Sequence, residues 1–167
     1  MKQIIILIIA ATLFIGCGGK SDKDYLDEAS ALIQEGKFTQ AVSVYEELIA
    51  EHPESALLPE AMVGMAGLYQ NQKIKNLSKG ESLKKAADIF RSVYEKYPDH
   101  KQAPLSLFMS GFILANELKL YNLATETYKL FLNKYPDHEL ASSAKEELEN
   151  MGLSAEEILK RKLAAEK

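Results

Sequence analysis

Residues 124–138 read Ala124-Thr125-Glu126-Thr127-Tyr128-Lys129-Leu130-Phe131-Leu132-Asn133-Lys134-Tyr135-Pro136-Asp137-His138, and nearly the same stretch occurs twice before. Residues 86–100 are AADIFRSVYEKYPDH and residues 41–55 are AVSVYEELIAEHPES. In all three, an alanine is followed by an aromatic residue four positions on, an apolar residue seven on and a proline twelve on. Spacings of four and seven put side chains on one face of an α-helix. Proline, which lacks an N–H and clashes with the preceding turn, ends that helix. The chain is therefore a repeat protein built of helices, and no stretch shows the alternation of a half-buried strand.

Outward from these stretches, helices are expected at about 23–35, 38–51, 57–72, 81–96, 101–117, 121–134, 138–150 and 154–165. Gly36-Lys37 separates the first two, because glycine accepts the positive φ of a helix C-cap. Pro53, Pro98 and Pro136 close the second helix of each pair. Pro59 and Pro104 each lie six residues beyond such a proline and fall in the first turn of the next helix, where proline is tolerated. Asp99 with Gln102, and Ser154 with Glu157, read as capping boxes.

The closing prolines are 45 and 38 residues apart, against the 34-residue period of tetratricopeptide repeats. The surplus of the second unit lies between Tyr69 and Ala86, where residues 71–80 (NQKIKNLSKG) are polar and basic. Exposed loops absorb such insertions at small entropic cost.

These units resemble tetratricopeptide repeats of the kind found in bacterial envelope lipoproteins, the BamD-like and cell-division-coordinator-like families, whose units end in Tyr-Pro-Asp before an alanine-rich helix. The resemblance covers about residues 25–152. It places the small residue of the first helix on Ala29, Ala66 and Gly111, that of the second on Ala41, Ala86 and Ala124, and the aromatic residue on Tyr45, Phe90 and Tyr128. Glu28 stands where an apolar residue is usual. The implied fold is an all-α solenoid of stacked antiparallel hairpins. Small residues at the crossings let helices approach, aromatic residues fill the space against the next unit, and neighbouring repeats supply most of the stability. The last two helices, rich in glutamate (Glu146, Glu147, Glu149, Glu156, Glu157), are expected to cap the stack with a polar outer face.

The N-terminus differs in kind. Lys2 precedes an apolar run over residues 4–15, followed by Gly16-Cys17 and then by Gly18-Gly19-Lys20-Ser21-Asp22. A positive start, a short apolar middle and a small residue before the break make a secretory signal. Leu13-Phe14-Ile15-Gly16-Cys17 resembles a bacterial lipobox, with Phe14 where leucine is expected. The resemblance implies cleavage before Cys17, diacylglycerol on its thiol and anchoring by acyl chains, each buried CH₂ contributing roughly 0.8 kcal/mol. Gly18, rather than aspartate, points to the outer membrane with the protein facing the periplasm. The competing reading is an uncleaved membrane span, but the uncharged run, residues 3–19, has 17 residues where a span wants about 20. The chain divides into a signal (residues 1–16), a lipidated tether (17–22), the repeat array (23–152) and a C-terminal helix (153–167). Gly16-Cys17-Gly18-Gly19-Lys20-Ser21 also superficially suggests a phosphate loop, but that motif needs glycine at Phe14.

Cys17 is the only cysteine, which excludes an internal disulfide and a cysteine metal site. A net charge of −4 without a basic stripe argues against nucleic acid. No Ser/His/Asp or Cys/His arrangement has spacing support, and the expectation is a protein that is not an enzyme and uses no cofactor or metal. His52, His100 and His138 recur at matching turns and read as solvated turn residues. The alternative is an envelope enzyme or metal-binding protein using these histidines and residues 71–80.

In the families that the chain resembles, the inner surface is lined by the first helix of each pair. The resemblance places it on Glu60, Val63, Gly67, Gln70 and Asn71 in the second unit and on Leu105, Phe108, Phe112, Ala115 and Asn116 in the third. Phe108 and Phe112 are four residues apart and share a helix face. Either they anchor a peptide segment or other parts of the chain cover them. The implied partner is another envelope protein or a peptide segment, held near the membrane by a lipid-anchored adaptor accessory to outer-membrane protein assembly.

Overall fold

The computed structural model of the chain describes residues 19–165, so the signal, the lipobox and Cys17 lie outside the described residues. Eight helices, and no strand among the described residues, follow in order. They are α1 (Asp22–Gln34), α2 (Phe38–Glu51), α3 (Leu58–Gln70), α4 (Lys79–Lys96), α5 (Ala103–Phe112, extended by a π-helical turn, Ile113–Glu117), α6 (Tyr121–Lys134), α7 (Ala141–Asn150) and α8 (Ala155–Ala165). Each helix through α7 packs on its neighbour in the chain, giving the hairpins α1/α2, α3/α4 and α5/α6 stacked side by side, with α7 added to α6. This is the all-α solenoid that the repeats predict. No described helix is long and apolar enough to cross a membrane.

Burial follows the repeated spacing. The small residues Ala29, Ala66, Ala41, Ala86 and Ala124 are wholly buried, as are Leu48, Val93 and Phe131, the apolar residues seven positions on. Tyr45, Phe90 and Tyr128 join all of these but Val93 in one continuous core running from Tyr25 to Ala144. Tyr45 reaches the next unit and abuts Gly64 of α3, whereas Tyr128 lies on Gly111 of its own hairpin. Glu28 departs from the pattern because it is exposed and paired with Lys20.

The three turns between hairpins are built alike. Backbone N–H groups of Ser55, His100 and His138 donate to the carbonyls of His52, Tyr97 and Tyr135, and those of Leu58, Ala103 and Ala141 donate to the carbonyls of Ser55, His100 and His138. Ser55 Oγ accepts from Leu57 N at 3.1 Å, His100 Nδ1 from Gln102 N at 3.3 Å and His138 Nδ1 from Leu140 N at 3.1 Å. The turn equivalent of His100 and His138 is thus Ser55, not His52. His52 stands one residue before its proline and pairs through Nδ1 with Asp22 at 2.8 Å.

Two helix starts differ from expectation. The Asp99/Gln102 capping box does not form: the turn just described carries the chain to Gln102, and α5 begins at Ala103 without a side-chain cap. For the same reason α7 begins at Ala141, three residues late. The Ser154/Glu157 box forms as expected, with Ser154 N donating to Glu157 Oε2 at 2.8 Å. Ser21/Asp24 and Ser78/Glu81 make two more. The second of these starts α4 at Lys79 and shortens the loop to residues 71–78, which Ile74 and Leu77 pin to the core.

The first helices of the hairpins end on left-handed residues, Gly36 (φ 73°), Gln72 (φ 54°) and Lys119 (φ 56°). At the first two, Lys37 N donates to Leu32 O at 2.8 Å and Lys73 N to Leu68 O at 3.0 Å, the wide hydrogen bond that closes a helix C-terminus. The third has one more residue to place: Ala29 to Ala41 is twelve positions and Gly111 to Ala124 thirteen. The helix takes up the extra residue by widening, with Leu118 N bonded to Ile113 O and Leu120 N to Leu114 O. The capping pair also departs from expectation. Arg161 donates to the Glu149 carbonyl at 3.2 Å and Lys162 pairs with Glu146 at 2.8 Å, but Leu159 and Leu163 of α8 stay more than half exposed.

Candidate partner-binding surface

The face offered by α3 and α5 is assembled by the stacking of their hairpins. Lys101 Nζ meets Glu60 Oε1 at 3.1 Å and ties the start of α5 to the start of α3. Along α3, Val63 is half-buried against the core, and a β-carbon on Gly67 would meet nothing within 4 Å. Gln70 is half-buried, and Asn71 turns back to cap its own helix, Nδ2 donating to the Gly67 carbonyl at 2.8 Å. Along α5, Leu105 is 50% exposed, and Phe112 is half-buried and stands apart from the continuous core.

Phe108 goes the other way. Its ring lies 5.6 Å from that of Tyr128 and 5.8 Å from that of Phe131, both edge-on or tilted, so it packs within the α5/α6 hairpin. Ala115 is buried in the π turn, and Asn116 reaches α7, where Nδ2 donates to Glu147 Oε2 at 2.9 Å. A cleft of about 360 Å³ opens there between the π turn, α7 and α8. The same carboxylate faces the buried hydroxyl of Tyr128. That hydroxyl makes no well-aligned hydrogen bond, but burial first and the Glu147 charge second hold its phenol far above the ordinary tyrosine range.

At the other end of the stack, Tyr25 donates from its hydroxyl to Glu51 Oε2 at 2.5 Å. That bond, with burial and the same charge behind it, pushes the phenol up to about 12. Asp22 with His52 and Tyr25 with Glu51 therefore lock the first helix onto the second through polar contacts at one edge. The histidines do not converge, and among the described residues no three metal-ligating side chains gather.

A family model described as Tetratricopeptide repeat matches residues 25–55 and 105–138. Over those two segments the chain carries tetratricopeptide repeats. The matched segments are the first and third units, and the repeat between them, α3/α4, shows the same alanine, aromatic and proline spacing around its longer loop. No curated protein matches the chain in sequence. Tetratricopeptide repeats make a protein–protein interaction scaffold: the stack presents an extended surface of many side chains rather than one enclosed pocket.

Proposed function

We propose that the protein is a lipid-anchored adaptor of the bacterial cell envelope, held by acyl chains on Cys17 at the outer membrane and facing the periplasm. Its partner is another envelope protein or a peptide segment of one, and its place is accessory to outer-membrane protein assembly. The observation that carries the reading is the first-helix face: a β-carbon on Gly67 of α3 would meet nothing within 4 Å, and α5 offers the half-exposed Leu105 and the half-buried Phe112 as apolar contact for an incoming chain. Glu60, Val63 and Gln70 of α3 are half-buried and add polar and apolar groups from the same helix. The amides of Asn71 and Asn116 are already engaged, by the Gly67 carbonyl and the Glu147 carboxylate.

The lipobox-like Leu13-Phe14-Ile15-Gly16-Cys17 supports the anchor. Metabolic labelling with a palmitate analogue tests it. The expected result is label on the wild-type chain and none on Cys17→Ser; equal labelling of both overturns the anchor. Crosslinking from membranes with a photoreactive residue at Phe112 tests the face, and an adduct set unchanged from that of an outward α6 position, Lys129, overturns it.

A further inference from the structure

The turns within hairpins and the turns between them lie at opposite edges of the stack, and the two edges differ in charge. The within-hairpin edge is continuous: one shallow recess of about 220 Å³ is lined by Gly36–Gln40 together with Lys73 and Lys75, and Lys79 of α4 pairs with Glu117 at the end of α5 at 3.0 Å. The opposite edge is joined by Asp22–His52, Glu60–Lys101 and the Tyr135 hydroxyl on the Pro98 carbonyl. That edge exposes Glu51, Glu54, Asp99, Asp137 and Glu139.

On the within-hairpin edge the acids are engaged. Glu35 pairs with Lys37 at 2.6 Å, Glu117 with Lys79, and Glu81 closes the Ser78 cap. Lys73, Lys75 and Lys119 remain exposed and form no ion pair among the described residues. Apolar groups lie between them: Lys73 stands over the Phe38 ring at 5.5 Å, and a second recess of about 390 Å³ is formed by Lys119–Leu123, where Leu120, Tyr121 and Leu123 are exposed. A chain of net charge −4 thus carries a positive edge interleaved with apolar recesses.

We propose that this edge is a second docking surface, for an acidic peptide segment whose carboxylates meet Lys73, Lys75 and Lys119 and whose apolar side chains enter the recesses at Phe38 and Tyr121. Opposite charge steers such a segment and sets its register. A protein segment fits better than an anionic bilayer because the apolar groups line two separate recesses, each flanked by lysine, that individual side chains can enter. Position agrees: Lys20 lies over Tyr25 at the acidic edge, so an anchor three residues earlier would hold that edge, and not this one, toward a membrane.

The test is fluorescence anisotropy of a short fluorescein-labelled peptide alternating Glu-Glu with Leu-Phe, on the wild-type chain and on Lys73→Glu/Lys75→Glu/Lys119→Glu. Support is binding that weakens as salt screens the charges and falls about tenfold or more in the triple variant, with the melting temperature retained. Should the reversal lower that temperature, Lys→Gln at the same positions replaces it, with a smaller loss of the same sign. Phe112→Ala is expected to leave peptide binding intact, which separates this edge from the first-helix face. Equal binding by wild type and triple variant overturns the proposal. So does absence of peptide binding, whether the chain then sediments with phosphatidylglycerol vesicles, which would reassign the edge to lipid, or with neither.

Discussion

The ring of Tyr128 occupies the space that a side chain on Gly111 would need: a β-carbon there would stand 3.0 Å from Cε1 and 3.1 Å from Cδ1. Tyr128 is wholly buried and cannot swing away. Gly111→Ala is therefore expected to lose about 1–3 kcal/mol through overpacking. Gly67→Ala, also within a helix but facing open space, is expected to gain about 0.5–1 kcal/mol from the reduced backbone entropy of the unfolded chain. Denaturant melts of the two variants check the pair, and shifts of the same sign would contradict it.

Ala124 sits wholly buried where α6 crosses α5. Ala124→Trp forces a large ring into that crossing and is expected to cost about 3 kcal/mol or to prevent folding. An unaltered melting temperature would contradict the close approach of the two helices.

Phe108 and Phe112 are expected to separate in their effects. Phe108→Ala removes contacts with Tyr128 and Phe131 and should destabilise by about 2–4 kcal/mol. Phe112→Ala should change stability by about 1 kcal/mol or less while weakening capture of a partner at the first-helix face. Melting curves and crosslinking yields, measured on both variants, check the division.

Tyr25 gives the protein an alkaline limit. Its phenol is raised from 10.0 to about 12 by the bond to Glu51 and by burial, so the folded state favours the protonated form. The stabilisation is complete below pH 10 and is lost as pH rises from 10 toward 12. Tyr25→Phe is expected to flatten the fall of melting temperature over that window, and an unchanged slope would count against the pair.

Acid acts on the helix caps. Ser21, Ser78 and Ser154 hold the carboxylates of Asp24, Glu81 and Glu157 below their ordinary values through hydrogen bonds. That contribution is present above pH 4.5 for the two glutamates and is lost as pH falls through their lowered values. Ser78→Ala should make α4 fray at neutral pH and reduce the acid sensitivity of the melt; hydrogen exchange at the first turn of α4 reads this directly.

The helix pattern was legible because its causes are local. Pro53, Pro98 and Pro136 end helices by lacking an N–H, Gly36 takes a positive φ, and the spacing of Ala41, Tyr45 and Leu48 marks one buried face. The π turn left only a one-residue excess between Gly111 and Ala124 as its trace. The Asp99/Gln102 box misled because the His100 imidazole accepts a backbone N–H in the turn, a role that serine plays at position 55. The residues of the candidate surface were found by their repeat positions. Which of them turn inward was not.

By itself, then, the sequence determined that helices form, where they stop and which small residues let them cross, since each of these depends on a few neighbouring residues. Only the tertiary structure decided that Phe108 faces Tyr128 while Phe112 does not, that Asn116 meets Glu147, and that Lys37, Lys73 and Lys119 share one edge. Residues tens of positions apart meet only when hairpins stack. The rotation and offset of that stack are set by the whole interface, not by any one turn of helix.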